Sequence, residues 1–183
     1  YEPSWKPRAV AALAGALAHQ VQAPHGFAPR AMLAGLIHDL GEIYVNPDYL
    51  DARRQLDLTE YRQLAAHPQV GAMLLRELTD YPDELARAVL EHHERMDGTG
   101  YPGQTLGSAL SPMGQLLGVV ELVLGIADGR PAVGARAAFA LKFMPGEWSG
   151  FWAGPITRWA ATQPPPRCDT PLACPDPVAE LAP

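Results

Sequence analysis

Glu91-His92-His93-Glu94-Arg95-Met96-Asp97-Gly98-Thr99-Gly100-Tyr101-Pro102 is the stretch on which the reading of this chain turns. Two of the six histidines stand side by side in it, with Glu91, Glu94 and Asp97 around them. The apolar positions before it, Leu85 and Val89, have helical spacing, so the pair falls at the end of a half-buried helix. Adjacent histidines and carboxylates are costly there unless something binds them. The Gly-Thr-Gly-Tyr-Pro run that follows breaks the helix into a loop.

Working outward, every other segment also reads as helix. Val10, Leu13, Ala14, Leu17 and Val21 form one stripe over residues 7–21. Pro29 suits the first turn of a second helix, with Met32, Leu33, Leu36, Ile37 and Leu40 as its expected buried face. His38-Asp39 close it and Gly41 stops it. Residues 41–57 read as a loop, and Thr59 as the N-cap of a short helix ending at His67. Pro68 opens another, with Val70, Met73, Leu74 and Leu78 inward, and Asp83 is expected to cap the next. Ser111-Pro112 starts a long helix to about Asp128. Two more cover about Ala132–Phe143 and Gly150–Ala161, the last with Phe151, Trp152, Ile156 and Trp159. No segment alternates with period two for long enough to build a sheet, so the fold class is all-α.

A chain of 183 residues suits one good core, and 48% hydrophobic residues argue against disorder. We expect a helical domain over residues 1–162 and an unpacked Pro-rich tail over 163–183. The net charge of −6 and the lack of any long basic run argue against binding along duplex nucleic acid. No apolar run approaches the roughly 20 residues of a membrane span. The only cysteines, Cys168 and Cys174, lie in the tail, so disulfides do not build the fold and the expected compartment is the cytoplasm. The chain begins at Tyr1 rather than Met and reads as one module of a longer protein.

The polar residues that fall on apolar faces or helix ends are His38, Asp39, His67, His92, His93 and Glu121. Glu121 shares a stripe with Leu117 and Leu124, where an unpartnered carboxylate would be costly. His19 and His25 read as cap or satisfied core residues and not as ligands. Imidazole and carboxylate donors converging from several helices suit Fe, Mn, Zn or Co. Two such cations about 3.5–4 Å apart can activate water and clamp a phosphoryl group.

The ordered motifs resemble the HD-GYP domain family, bacterial metal-dependent phosphohydrolases acting on cyclic di-GMP. Leu36-Ile37-His38-Asp39-Leu40-Gly41 is similar to the HD motif. His67-Pro68-Gln69-Val70-Gly71 is similar to H-P-x-x-G, and His92 to Pro102 follows nearly the whole H-H-E-x-x-D-G-x-G-Y-P signature. The resemblance implies an HD-superfamily bundle of about seven helices with two divalent-metal sites. Iron or manganese is favoured, with Zn, Co and Ni also suited. The implied metal ligands are His38, Asp39, His67, His92, His93 and Glu121, with Asp39 bridging. Asp39 and Glu42 occupy the implied catalytic positions. Arg95, Asp97, Gly98, Gly100, Tyr101, Pro102 and Gln115 are implied substrate or partner contacts.

The implied reaction is in-line hydrolysis of cyclic di-GMP, or a related cyclic dinucleotide, to pGpG and GMP. A diguanylate cyclase-type protein is an implied partner of the Gly-Tyr-Pro loop. Four positions depart from the pattern. Glu121 stands for an Asp, Glu42 for a lysine and Gln115 for an arginine, and no His occurs near Trp5-Lys6, where the family has one. The alternative expectation is therefore a module that binds metal, cyclic dinucleotide or a partner without turnover. A third is an HD-type hydrolase of another phosphorylated substrate.

Overall fold

A computed structural model describes residues 5–51, 53–127 and 133–163. In chain order the α-helices are α1 (Lys6–Gln20), α2 (Phe27–Ile37), α3 (Leu58–Leu64), α4 (His67–Leu78), α5 (Asp83–Glu91), α6 (Pro112–Ala127), α7 (Val133–Phe143) and α8 (Gly150–Thr162). Two 3-10 turns, Leu40–Tyr44 and Pro47–Leu50, lie in the segment expected to be loop. The described residues hold no strand beyond a one-residue bridge between Asp97 and Leu106. The protein is an all-α bundle of eight helices among these residues, close to the seven expected.

The central helix is α6, because its sequence is apolar nearly all round and such a helix is stable only when surrounded. Leu116, Leu117, Val119 and Val120 are fully buried. Around them pack Val10 and Leu17 of α1, Leu85 of α5, Leu141 of α7, and Trp152 and Ile156 of α8. A smaller cluster joins Ala72 and Leu75 of α4 to Ala86 and Val89 of α5, with Ile37 and Leu40 against it. The ligand-bearing helix ends lie where α2, α4, α5 and α6 meet. No described helix is long and apolar enough to cross a membrane.

Several helices are rotated from the face expected. In α2 the buried residues are Ala28, Ala31, Ala34 and Gly35, while Met32 and Leu36 are exposed. The reason is close approach to α1: a Cβ on Gly35 would stand 2.9 Å from the Ala11 backbone. Small residues let the two backbones touch, and the larger ones are pushed to the rim. In α4 the buried face is His67, Pro68, Gly71, Ala72 and Leu75, and Met73 and Leu78 are exposed. Phe151 and Trp159 of α8 are likewise exposed.

The cap of α3 is Asp57, not Thr59. Its carboxylate accepts from the Thr59 and Glu60 N–H groups, and Glu60 returns a bond to the Asp57 N–H. This reciprocal capping box satisfies two donors at once. Asp83 is the first residue of α5, with Pro82 before it. The expected end of α6 at Asp128, the start of α7 at Ala132, and the tail from residue 164 with Cys168 and Cys174 lie outside the described residues.

Candidate metal centre and its cleft

Three histidines are aimed by one local device. Each sits at or just past a helix end, and its Nδ1 donates to the carbonyl three residues earlier. The partners are Gly35 for His38 at 2.8 Å, Leu64 for His67 at 2.8 Å and Val89 for His92 at 2.6 Å. A proton held at Nδ1 leaves Nε2 as the inward-facing nitrogen. His38, His67 and His92 are all buried, and His93 is half-buried beside them. His19 and His25 are exposed.

The inward nitrogens meet around Asp39. Its Oδ1 lies 3.6 Å from His67 Nε2 and 3.5 Å from His92 Nε2. Its Oδ2 lies 2.8 Å from His38 Nε2, which also lies 2.9 Å from Glu121 Oε1. Two overlapping ligand groups result: Asp39, His67, His92 and His93, and then His38, Asp39 and Glu121. Within each, the candidate ligand atoms all lie within 4.8 Å of one another.

Burial and charge divide the two groups. Burial holds the His67 pKa down to about 4, aided by His92. Burial and the same neighbour hold His93 below the usual histidine range. Burial also opposes a charged His38, but hydrogen bonds to Asp39 and then Glu121 win and raise it to about 10. Burial likewise opposes ionisation of Asp39 and Glu121, yet the His38 contacts and the Lys6 charge keep both carboxyls low.

The first group fits a divalent cation. Asp39 Oδ1 is buried and has no hydrogen-bond partner, an expensive state for a carboxylate oxygen. His67 Nε2 and His92 Nε2 stand 3.2 Å apart. With both Nδ1 atoms directed at carbonyls, the two Nε2 atoms face each other with no other acceptor or donor set between them. A shared cation relieves both problems.

A cleft of about 340 Å³ opens beside the centre, lined among others by His93, Arg95, Tyr101, Glu121, Tyr61 and Trp148. Tyr101 stacks on the His93 ring at 4.8 Å and meets Tyr61 edge-on at 6.4 Å. Arg95 donates to Glu147 at 2.7 Å and lies 5.5 Å over the Trp148 ring. Gly98 adopts φ +80°, the left-handed turn that its position in the loop requires. Asp97 is exposed and caps this turn by accepting from the Thr99 N–H and hydroxyl.

Glu42 is half-buried on the 3-10 turn after Asp39, and its N–H donates to the Asp39 carbonyl. Gln115 lies apart from the cleft lining. Its amide donates to the Gly107 and Leu110 carbonyls, so it ties the loop instead of presenting to a ligand.

The sequence reading passed over Glu91 and Glu94, which anchor the loop. Glu91 is buried and accepts from the Ser111 N–H at 2.7 Å, just before α6. Glu94 is buried and accepts from the Gly103 and Thr105 N–H groups. Both flank the histidine pair, but nothing in their spacing marks them as loop anchors. Tyr61 and Trp148 come from remote segments, and only the fold brings them to the cleft. Glu94→Ala leaves two backbone donors without their acceptor, at about 1–3 kcal/mol each if they stay buried. The expected result is a lower thermal midpoint with faster amide exchange at Gly103 and Thr105; unchanged exchange there would show the loop is held elsewhere.

Residues 3–139 match the HD domain family. The chain is 34% identical over 151 residues to the cyclic di-GMP phosphodiesterase PA4108 of Pseudomonas aeruginosa, covering 82% of this chain and 36% of that protein. It is 34% identical over 98 residues to 3'3'-cGAMP-specific phosphodiesterase 3 of Vibrio cholerae, covering 54% of this chain and 21% of that one. It is 28% identical over 100 residues to the cyclic di-GMP phosphodiesterase response regulator RpfG of Xanthomonas campestris, covering 54% and 26%. The structure of Bd1817, a HDG"Y"P protein from Bdellovibrio bacteriovorus, shares the fold. Its TM-score is 0.72 at 17% identity, over 86% of this chain and 52% of that one. The chain belongs to the HD domain family and carries the signature of its HD-GYP branch. It spans about a third or less of the length of the relatives it matches.

Proposed function

We propose that this chain is a metal-dependent phosphodiesterase domain that cleaves a cyclic dinucleotide, cyclic di-GMP or cGAMP, to a linear product. The observation that carries the reading is the unpartnered, buried Asp39 Oδ1 facing the inward nitrogens of His67 and His92 at the foot of an open cleft. Asp39, His67, His92 and His93 would hold the ion; mixed imidazole and carboxylate donors suit iron, manganese, zinc or cobalt, and the HD-GYP resemblance favours the first two. A divalent ion there supplies Lewis acidity for activating water and neutralising phosphate charge.

The chain's own residues position the ligand. The guanidinium of Arg95, held by Glu147 and Trp148, faces the cleft and draws the phosphate in. It supplies the positive charge that Glu42 does not. Tyr101, Tyr61 and Trp148 give faces on which a purine stacks. At about 340 Å³ the cleft is at the small end of ligand sites, so one nucleotide unit enters while the other stays outside. Tyr101 is turned inward onto His93, which favours a substrate role for the Gly-Tyr-Pro loop over a protein contact.

The test is to load the protein with Mn²⁺ or Fe²⁺ and to incubate it with cyclic di-GMP and with cGAMP. The expected result is a linear dinucleotide seen by chromatography. No product from either, under conditions where a full-length relative turns over, would leave a module that binds without cleaving.

A further inference from the structure

We propose that the Lys6 ammonium is the protein's own cation at the His38–Asp39–Glu121 corner, so that the centre takes one transition-metal ion instead of two. This rests on the metal-dependent reading above and concerns how many ions that site holds. Lys6 is the first residue of α1, and its Nζ reaches 3.3 Å from Asp39 Oδ2 and 3.6 Å from Glu121 Oε1. Those are the same two oxygens that face His38 Nε2 at 2.8 and 2.9 Å. Both oxygens that a second ion would need therefore already have the Lys6 ammonium beside them.

The two sides of Asp39 differ. Oδ2 accepts from the Lys6 ammonium at 3.3 Å, whereas Oδ1, on the side of His67 and His92, is buried without a hydrogen bond. The unmet demand for a cation lies on one side only. A protonated lysine has three donors and no lone pair, so it neutralises carboxylates without ligating a metal. A divalent ion coordinated by Asp39 Oδ2 and Glu121 Oε1 would stand within a few ångströms of the ammonium and be repelled by it. The Lys6 side chain is about one-fifth exposed, so that repulsion is only partly screened.

Metal content after loading with excess Mn²⁺ and removal of free ion tests this. Elemental analysis of the wild-type protein is expected to give one ion per chain, with the electron paramagnetic resonance signal of isolated Mn²⁺. Lys6→His replaces the ammonium with a ligand, and two ions per chain with a spin-coupled signal are expected. Adding Glu121→Gln to Lys6→His should return the count to one, while Glu121→Gln alone leaves the wild-type count unchanged. Two ions in the wild-type protein would overturn the proposal. So would a count of one in both Lys6→His and the neutral Lys6→Met variant, with circular dichroism showing both folded. A protein that holds one ion and cleaves no cyclic dinucleotide would sink the proposed activity and leave this inference standing.

Discussion

Asp39→Asn is expected to empty the centre of metal while leaving the fold in place. Asn keeps the shape of the side chain but removes its charge and turns one acceptor oxygen into an NH2 donor. That charge is the one anion shared by both ligand groups. Without it, the remaining donors at the first group are the ring nitrogens of His67, His92 and His93, with the Lys6 ammonium still close by. Losing even an outer partner of a metal ligand costs about 10–100-fold in affinity. Losing the charged ligand itself should exceed that range, and activity should fall with it. Competition against a chelator of known Mn²⁺ affinity measures the loss, with circular dichroism as the check on folding. Affinity within about tenfold of wild type would show that the ion sits elsewhere.

Gly41→Ala is expected to have the largest effect on stability among single methyl additions near the site. A Cβ on Gly41 would fall far inside van der Waals contact with the His67 carbonyl oxygen and 2.8 Å from the Gly71 nitrogen. Both are backbone atoms of α4 and cannot swing aside as a side chain would. The turn after Asp39 crosses the first turns of α4 at this point, so the methyl group would also push Asp39 away from His67. Overpacking of this kind costs about 1–3 kcal/mol and more where backbone must move, so a loss of about 3 kcal/mol or more is expected. Urea unfolding of the metal-free protein reads the loss of stability directly, and metal affinity should drop as well. Gly125→Ala is the control: it lies on α6 with nothing within 4 Å of its added Cβ, and a helical Ala is favoured over Gly by about 1 kcal/mol. Equal midpoints for the two variants would show that the Gly41 contact carries no weight.

Fold class, helix order and candidate ligands were legible because they depend on local chemistry. Helical spacing of apolar residues, prolines at first turns and glycines at helix ends act within a few residues of themselves. His38, His67 and His92 stand at helix ends in the sequence, and each is fixed by a carbonyl only three residues away. Glu121 was suspect from its apolar neighbours alone. Helix faces were less legible. The apolar stripe of α2 pointed to Met32 and Leu36, but backbone approach at Gly35 set the rotation, and that depends on α1.

The sequence by itself determined that this chain is an all-α HD-family domain, and that five ligand-type residues, His38, Asp39, His67, His92 and His93, with Glu121, are its candidates for a metal. Only the tertiary structure decided how they divide. It turned Asp39 so that one oxygen is satisfied and the other is not. It brought Lys6 from the start of α1 onto Asp39 and Glu121, 33 residues away from the first of them in the chain. A position that reads in sequence as a missing histidine is, in three dimensions, a cation in place. The physical reason is that charges interact through space, and the spacing that matters at this centre is set by the packing of α1 against α2 and α6.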